Sequence, residues 1–371
     1  KSALMTTATE LANSAGPLDE GAGEVEPGSV LDPGLVYGAD KDNWFEYLRA
    51  LGLTYADGSP LSGRDVDAVD LNAPSVAIGS LVGEETVTRS VTNVGSERDT
   101  YTAKVEGVHG IAVSVAPASV TLRPGQTASF DVSFSARRSA HYERFAKGSL
   151  TWRDQNGHVV TSPIVVRPQF VAAPSDVTSH ALSGSATINA RAGVTGTLKT
   201  TTSGLVGATP IGYALAAGDF NARHPKASHS TAVHTFHVGA AAVAARFDLR
   251  APGSGDDLDL YVYRGSQLVG SATSGTGSEQ ITLDDPQPGQ YDVYAHSASA
   301  GLGGISLASL TGWVLPAGGG HHLRVSPDPV TVTGGRPFSL AVSWRGLDTS
   351  QRWFGAVDYE DSKRRTFITI N

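Results

Sequence analysis

The chain reads as a mainly β protein, a tandem of antiparallel β-sandwiches preceded by a short α-helical stretch. Three observations carry this. Its 43 glycines and 19 prolines punctuate it too often for long helices and suit short strands joined by tight turns. From residue 70 onward the apolar pattern has period two, clearest at Thr86-Val87-Thr88-Arg89-Ser90-Val91-Thr92, where one face of a half-buried strand alternates with the other. At 371 residues the chain is too long for one ordinary core, and about two to four domains are expected.

Helical spacing is confined to the first 70 residues. Leu4, Ala8, Leu11 and Ala12 fall at i, i+4, i+7 and i+8, which predicts a helix over residues 1–12. Trp44, Phe45, Leu48 and Leu51 repeat similarly before Gly52, predicting a second helix over 42–51 with glycine as its stop. After the strand at 86–92, Asn93-Val94-Gly95 supplies turn chemistry, and strands are predicted at 101–105, 112–115, 119–122, 129–135, 148–153 and 159–166. Seven or so short strands in about 100 residues is the pattern of an immunoglobulin-like sandwich. Within it Val87, Thr88 and Arg89 should face alternate sides, with Trp152 in the core.

Beyond Ala172-Ala173-Pro174-Ser175-Asp176, which reads as a linker, strand texture returns at 185–189, 194–202, 231–238 and 242–249. In Asp257-Leu258-Asp259-Leu260-Tyr261-Val262-Tyr263, the aliphatic residues point to a core and the acids and phenols away from it. Residues 318–371 repeat the same texture, but about fifty residues bury little surface alone. Strands donated from 180–205 or from the preceding domain are therefore expected to complete them.

Composition narrows the function classes. Net charge is −8, from 36 acids and 28 bases, with no basic stripe to hold phosphates, so nucleic acid is not an expected partner. Cysteine is absent, which removes disulfides and thiolate chemistry. No apolar run approaches the roughly 18 residues that span a bilayer. No serine sits in a Gly-x-Ser-x-Gly elbow. His224, His229, His234 and His237 suggest a metal cluster until strand geometry turns His234 and His237 to opposite faces, and adjacent His321-His322 suits a turn. Asp256, Asp257 and Asp259 are the densest acids and offer the hard oxygens that calcium prefers; calcium is the one metal expected, and no cofactor is required. Tyr261, Tyr263, Tyr291 and Tyr294 would either pack or form an aromatic platform.

Several of these stretches also resemble known families. Lys1-Ser2-Ala3-Leu4-Met5-Thr6-Thr7-Ala8, the Gly21-Ala22-Gly23 loop, Asp32-Pro33-Gly34-Leu35-Val36-Tyr37 and the aromatic helix occur in the order seen at the end of the catalytic domain of subtilisin-like serine proteases. Asp70-Leu71-Asn72-Ala73-Pro74-Ser75, Val91-Thr92-Asn93-Val94-Gly95 and His158-Val159-Val160-Thr161-Ser162-Pro163-Ile164 resemble the fibronectin-III-like domain that follows it. The passage from Asp256 through Pro288-Gly289-Gln290-Tyr291-Asp292-Val293-Tyr294 resembles the jelly-roll-like bacterial pre-peptidase C-terminal domain.

The resemblance implies five parts: a catalytic-domain tail (1–70), a fibronectin-III-like sandwich (71–171), linker and strands (172–205), a pre-peptidase C-terminal-like sandwich (206–317) and a terminal Ig-like sandwich (318–371). It further implies that the catalytic aspartate, histidine and serine lie upstream and that this chain alone is inactive. Its implied partners are its own catalytic domain and a protein or peptide substrate, and its implied setting is extracellular, in a bacterial source. A non-enzymatic extracellular adhesion or binding array of sandwiches is the alternative.

Overall fold

A computed structural model describes residues 1–12, 16–253, 255–301, 303–318 and 322–371. The protein is mainly β and built of antiparallel sandwiches. It divides into two compact units, 1–172 with 190–197 and 331–338, and 173–189 with 198–330 and 339–371.

The first unit holds a two-sheet sandwich. One sheet runs Val76–Leu81, Val159–Pro168, Ala146–Arg153, Asp99–Gly107 and Ser119–Leu122; the other runs Leu35–Val36, Glu84–Asn93, Thr127–Ala136 and Ile111–Ala116. Alternation in Glu84–Asn93 works as the sequence predicts: Val87 and Val91 are fully buried and Thr88 is exposed. Trp152 is fully buried and packs edge-on against Phe130 at 5.0 Å. Two strands were not visible in the pattern. Val76–Leu81 pairs in parallel with Val159–Pro168, and Leu35–Val36 pairs with Thr92 and Asn93.

The N-terminal helix is shorter than its spacing predicts, covering Ser2–Thr6 only. Thr6 and Thr7 turn their hydroxyls back onto the Ser2 and Ala3 carbonyls at 3.1 and 2.8 Å, a local competition that favours helix ends. Thr9 then bridges to Glu24 as extended chain, so Ala8 and Leu11 never reach a helical face. The second helix, Lys41–Ala50, forms as predicted because its start is capped on both sides: Asp40 accepts from the Asn43 backbone and Asn43 accepts from the Asp40 backbone. Gly52 follows at φ +81°, a conformation glycine adopts without steric cost.

The second unit contains two sandwiches. The inner one faces Ile211–Ala216, Ile305–Pro316, Ala242–Arg250 and Ser278–Asp284 against Thr231–Val238, Gly289–Ser299, Asp257–Arg264 and Gln267–Ala272. Leu258, Leu260 and Val262 point into its core with Phe247, Val293 and Leu310. The outer one is assembled from both sides of this insert. Asp176–Ser179 pairs in parallel with Arg365–Ile370, and Thr200–Ala208 pairs with Arg352–Tyr359. The strands of 172–205 and those of 323–371 thus share sheets, which supplies the partners that about fifty terminal residues lack.

Arg246 of the inner sandwich enters the outer one. Its guanidinium lies 4.6 and 4.9 Å from the rings of Phe354 and Phe367, donates to Thr282 and Thr369 and pairs with Asp176 at 2.6 Å.

Candidate functional site

The first unit brings chemistry together where the segment 26–38 crosses the first sandwich. Leu35 is fully buried, Tyr37 accepts a hydrogen bond from Ser162 Oγ at 2.9 Å, and Asn72 Nδ2 ties the Gly38 and Ser90 carbonyls at 2.8 and 3.1 Å. Gly34 is the close-approach point. At φ +69°, an added Cβ would lie 2.8 Å from the Tyr101 hydroxyl oxygen and 2.9 Å from His158 Cβ, so only glycine fits there without displacement.

Beside Gly34 stands a compact ionisable group. The hairpin turn after Ala146–Arg153 folds Asp154 onto the backbone N–H groups of Asn156 and His158 at 3.0 and 2.8 Å. His158 Nδ1 meets the Asp154 carboxylate, and His158 Nε2 lies 3.3 Å from Asp32 Oδ1. Asp99 accepts from Asn156 Nδ2 at 2.7 Å. The His158 imidazole is held above its ordinary value, first by its bond to Asp154 and next among the raising causes by Asp32. Asp154 is held below the usual carboxylate range by the His158 ring and backbone, against the cost of burial. Burial, and then the surrounding carboxylates, push the Tyr101 phenol up.

Among the described residues, Asp99, Asp154 and His158 form the one group of three whose ligand atoms lie within 4.8 Å of one another. Each is already engaged: Asp154 by two backbone donors and the imidazole, Asp99 by the Thr100 backbone and Asn156. The arrangement therefore works as a hydrogen-bonded ion cluster closed on itself.

The acids singled out in the sequence lie elsewhere, and among the described residues they form no group of three with ligand atoms within 4.8 Å of one another. Asp256 is buried and accepts from Gly301 N–H at 3.0 Å and Ser306 Oγ at 2.8 Å, which hold its carboxyl below the usual range. Asp257 Oδ1 is buried without a hydrogen-bond partner. Asp259 accepts from the Tyr261 hydroxyl at 3.1 Å, and burial raises its carboxyl. The tyrosines are covered: Phe220 stacks on Tyr261 at 4.4 Å and lies 5.7 Å from Tyr294, Tyr263 donates to the Ala222 carbonyl and Tyr291 to the Gln287 carbonyl. His234 and His237 point to opposite faces of their strand, as predicted, and His321 lies outside the described residues.

Arg89, expected on one of two alternating faces, points inward and is 5 % exposed. Burial pulls its guanidinium down to about 10, and it donates to the Thr88 and Ser75 carbonyls at 2.9 and 3.3 Å. Sequence reasoning missed the chemistry of Asp32, Asp99, Asp154 and His158. The available signal was Asp154 four residues before His158 in a turn, with Asp32 preceding a Pro-Gly pair.

Residues 70–166 match a family model described as a fibronectin type-III domain. The chain is similar to Subtilisin-like protease SBT2.6 of Arabidopsis thaliana, 33 % identical over 194 residues, covering 46 % of this chain and 24 % of that protein. It is likewise 35 % identical over 194 residues to Subtilisin-like protease SBT3 of Solanum lycopersicum, covering 45 % of this chain and 25 % of that protein. Among solved structures, the pre-peptidase C-terminal domain of a collagenase from Bacillus anthracis aligns over 29 % of this chain and 89 % of its own at 16 % identity, with a TM-score of 0.22; a likeness that low carries no argument. The chain thus spans about a quarter of the length of the curated relatives it matches, and its similarity to subtilisin-like proteases covers somewhat under half of its own residues.

Proposed function

We propose that this chain is the non-catalytic C-terminal region of a secreted subtilisin-like serine endopeptidase, in which the first sandwich anchors the end of the catalytic domain. The observation that carries this is the strand Leu35–Val36. It lies in the stretch that resembles the end of a subtilase catalytic domain, yet it completes a sheet of the sandwich. A catalytic domain seated on this tail would be held by main-chain pairing and by Leu35 in the sandwich core. The tail also presents Leu4, Leu18, Leu31, Trp44, Leu51 and Leu53 to solvent, Leu31 at 88 % exposure. Apolar side chains this numerous on about fifty residues suit a face that another domain covers. The inner sandwich of the second unit is, on its Asp256–Tyr263 pattern, a module of the pre-peptidase C-terminal kind.

Two results test this reading. The isolated chain is expected to give no stoichiometric labelling with a fluorophosphonate probe. The coding sequence within about 400 codons upstream is expected to encode the catalytic serine in a Gly-Thr-Ser-Met setting. Labelling of this chain, or an upstream sequence without that motif, overturns it.

A further inference from the structure

We propose that His158 is a proton-operated latch that fastens the segment bearing Asp32 and Gly34 to the turn of the first sandwich at mildly acidic pH and loosens it as the pH rises. It stands on the contacts of this chain and does not depend on the protease reading.

His158 Nδ1 meets Asp154 and Nε2 faces Asp32 Oδ1 at 3.3 Å. An imidazolium donates from both nitrogens, whereas a neutral imidazole donates from one and presents a lone pair at the other. The two carboxylates differ in strength as partners. Asp154 has a fully buried side chain and is fixed by two backbone N–H groups, while the Asp32 side chain is 74 % exposed. When the imidazolium loses a proton, the remaining one stays with Asp154, and the Nε2 lone pair is turned toward the Asp32 carboxylate. An attraction across the junction becomes a repulsion. The Asp32 carboxylate can turn to solvent and give up the contact, while Pro33 and Gly34, buried next to it, and the packing of Gly34 against the His158 side chain keep the backbone at the junction, so the change is a loosening.

The surroundings add only negative charge. Asp99 reaches the group through Asn156, and Glu26 lines the same cavity with Thr6, Thr9 and Ser29. The Tyr101 phenol, pushed up, is neutral throughout the range in question. Among the described residues no lysine or arginine lines that cavity, so no positive side chain there replaces the lost proton.

The pH window follows from two shifts of opposite sign. His158 is raised in the folded chain, so its contribution is complete below the unfolded value of about 6.5 and is lost as pH climbs through the folded value. Asp154 is lowered, so its contribution is present above about 3.9 and is lost as pH falls through the folded value. The latch is thus closed from about pH 4 up to the folded value of His158, which lies above about 6.5, and opens as the pH passes it.

The test uses the intact chain. NMR titration of the His158 ring should place its pKa above the free-imidazole value, and Asp154→Asn should lower it more than Asp32→Asn. The amide of Val94, which donates to the Gly34 carbonyl at 2.9 Å, reports the junction itself. Its hydrogen-exchange protection, corrected for intrinsic base catalysis, should fall about two- to fivefold through the His158 titration, the range for a part-exposed ion pair. In Asp32→Asn, a change at an exposed side chain that leaves the fold intact, the fall should vanish. A His158 pKa at or below that of free imidazole, or Val94 protection that does not change with pH in the natural chain, overturns the latch.

Discussion

Replacing Arg246 with alanine is expected to lower the stability of the second unit by about 3 kcal/mol. Arg246 is 2 % exposed and lies against the stacked rings of Phe354 and Phe367, so its guanidinium is a desolvated cation against two rings, a geometry worth about 2 kcal/mol or more. Asp176 pairs with it but keeps a side chain 38 % exposed, so that carboxylate stays partly hydrated when its partner goes. Most of the loss therefore comes from the rings and the void, and less from an orphaned charge. Arg246→Lys should lose an intermediate amount, since an ammonium keeps the charge but not the planar fork that reaches Thr282 and Thr369 together. Urea unfolding of the intact chain, followed in the transition that reports Trp313 and Trp344, measures both. A shift below about 0.5 kcal/mol for the alanine variant, the size of an ordinary surface change, would show that the two sandwiches do not depend on this residue.

Leu35→Asp is expected to detach the tail and leave the sandwich folded. Leu35 is fully buried, packed in one core with Tyr37, Phe130 and Trp152. Burying a leucine contributes about 1.5 to 3 kcal/mol, and an unpaired carboxylate in its place adds a penalty of at least that order. The strand is two residues long and lies at the edge of its sheet, so peeling it away costs less than unfolding the strands behind it. Limited proteolysis should cut within residues 16–37 in the variant and not in the natural chain, while the amides of Thr127–Ala136 and Ala146–Arg153 stay protected from hydrogen exchange. Loss of the whole sandwich, or no change in cleavage, would contradict this.

How much could be read in advance depended on whether a feature is local. The alternation at 86–92 and in Asp257–Arg264, and the helix before Gly52, are set by neighbouring residues and were legible. Leu35–Val36 is too short to show a period, and its partner lies more than fifty residues away. Val76–Leu81 carries a glycine, Gly79, and its two-residue alternation breaks at Gly79-Ser80. The outer sandwich depends on pairing between Asp176–Ser179 and Arg365–Ile370, a separation no window spans, although the shortness of the terminal piece showed that strands were missing. The ion cluster was illegible for a related reason: Asp154 and His158 are neighbours in a turn, but Asp32 and Asp99 reach them only through the tertiary fold. The acids at 256–259 are dense in sequence, but their partners, Gly301 and Ser306 for Asp256 and Tyr261 for Asp259, are set by the fold.

The most direct test of a tail anchored to the sandwich at Leu35–Val36 and only partly covered at its start is residue-resolved hydrogen exchange on the monomeric chain at pH 6. Val94, bonded to Gly34, should be protected nearly as well as the sandwich core. The amides of the helix Ser2–Thr6 should exchange far faster than those of the core strands: although Thr6 is buried and Ser2 Oγ accepts from the Tyr37 N–H at 2.9 Å, a helix of five residues does not hold itself in water, and Leu4 within it is 47 % exposed. Free exchange at Val94 would show that the tail is not anchored, and strong protection across residues 2–6 would show that the tail has a core of its own and needs no covering domain.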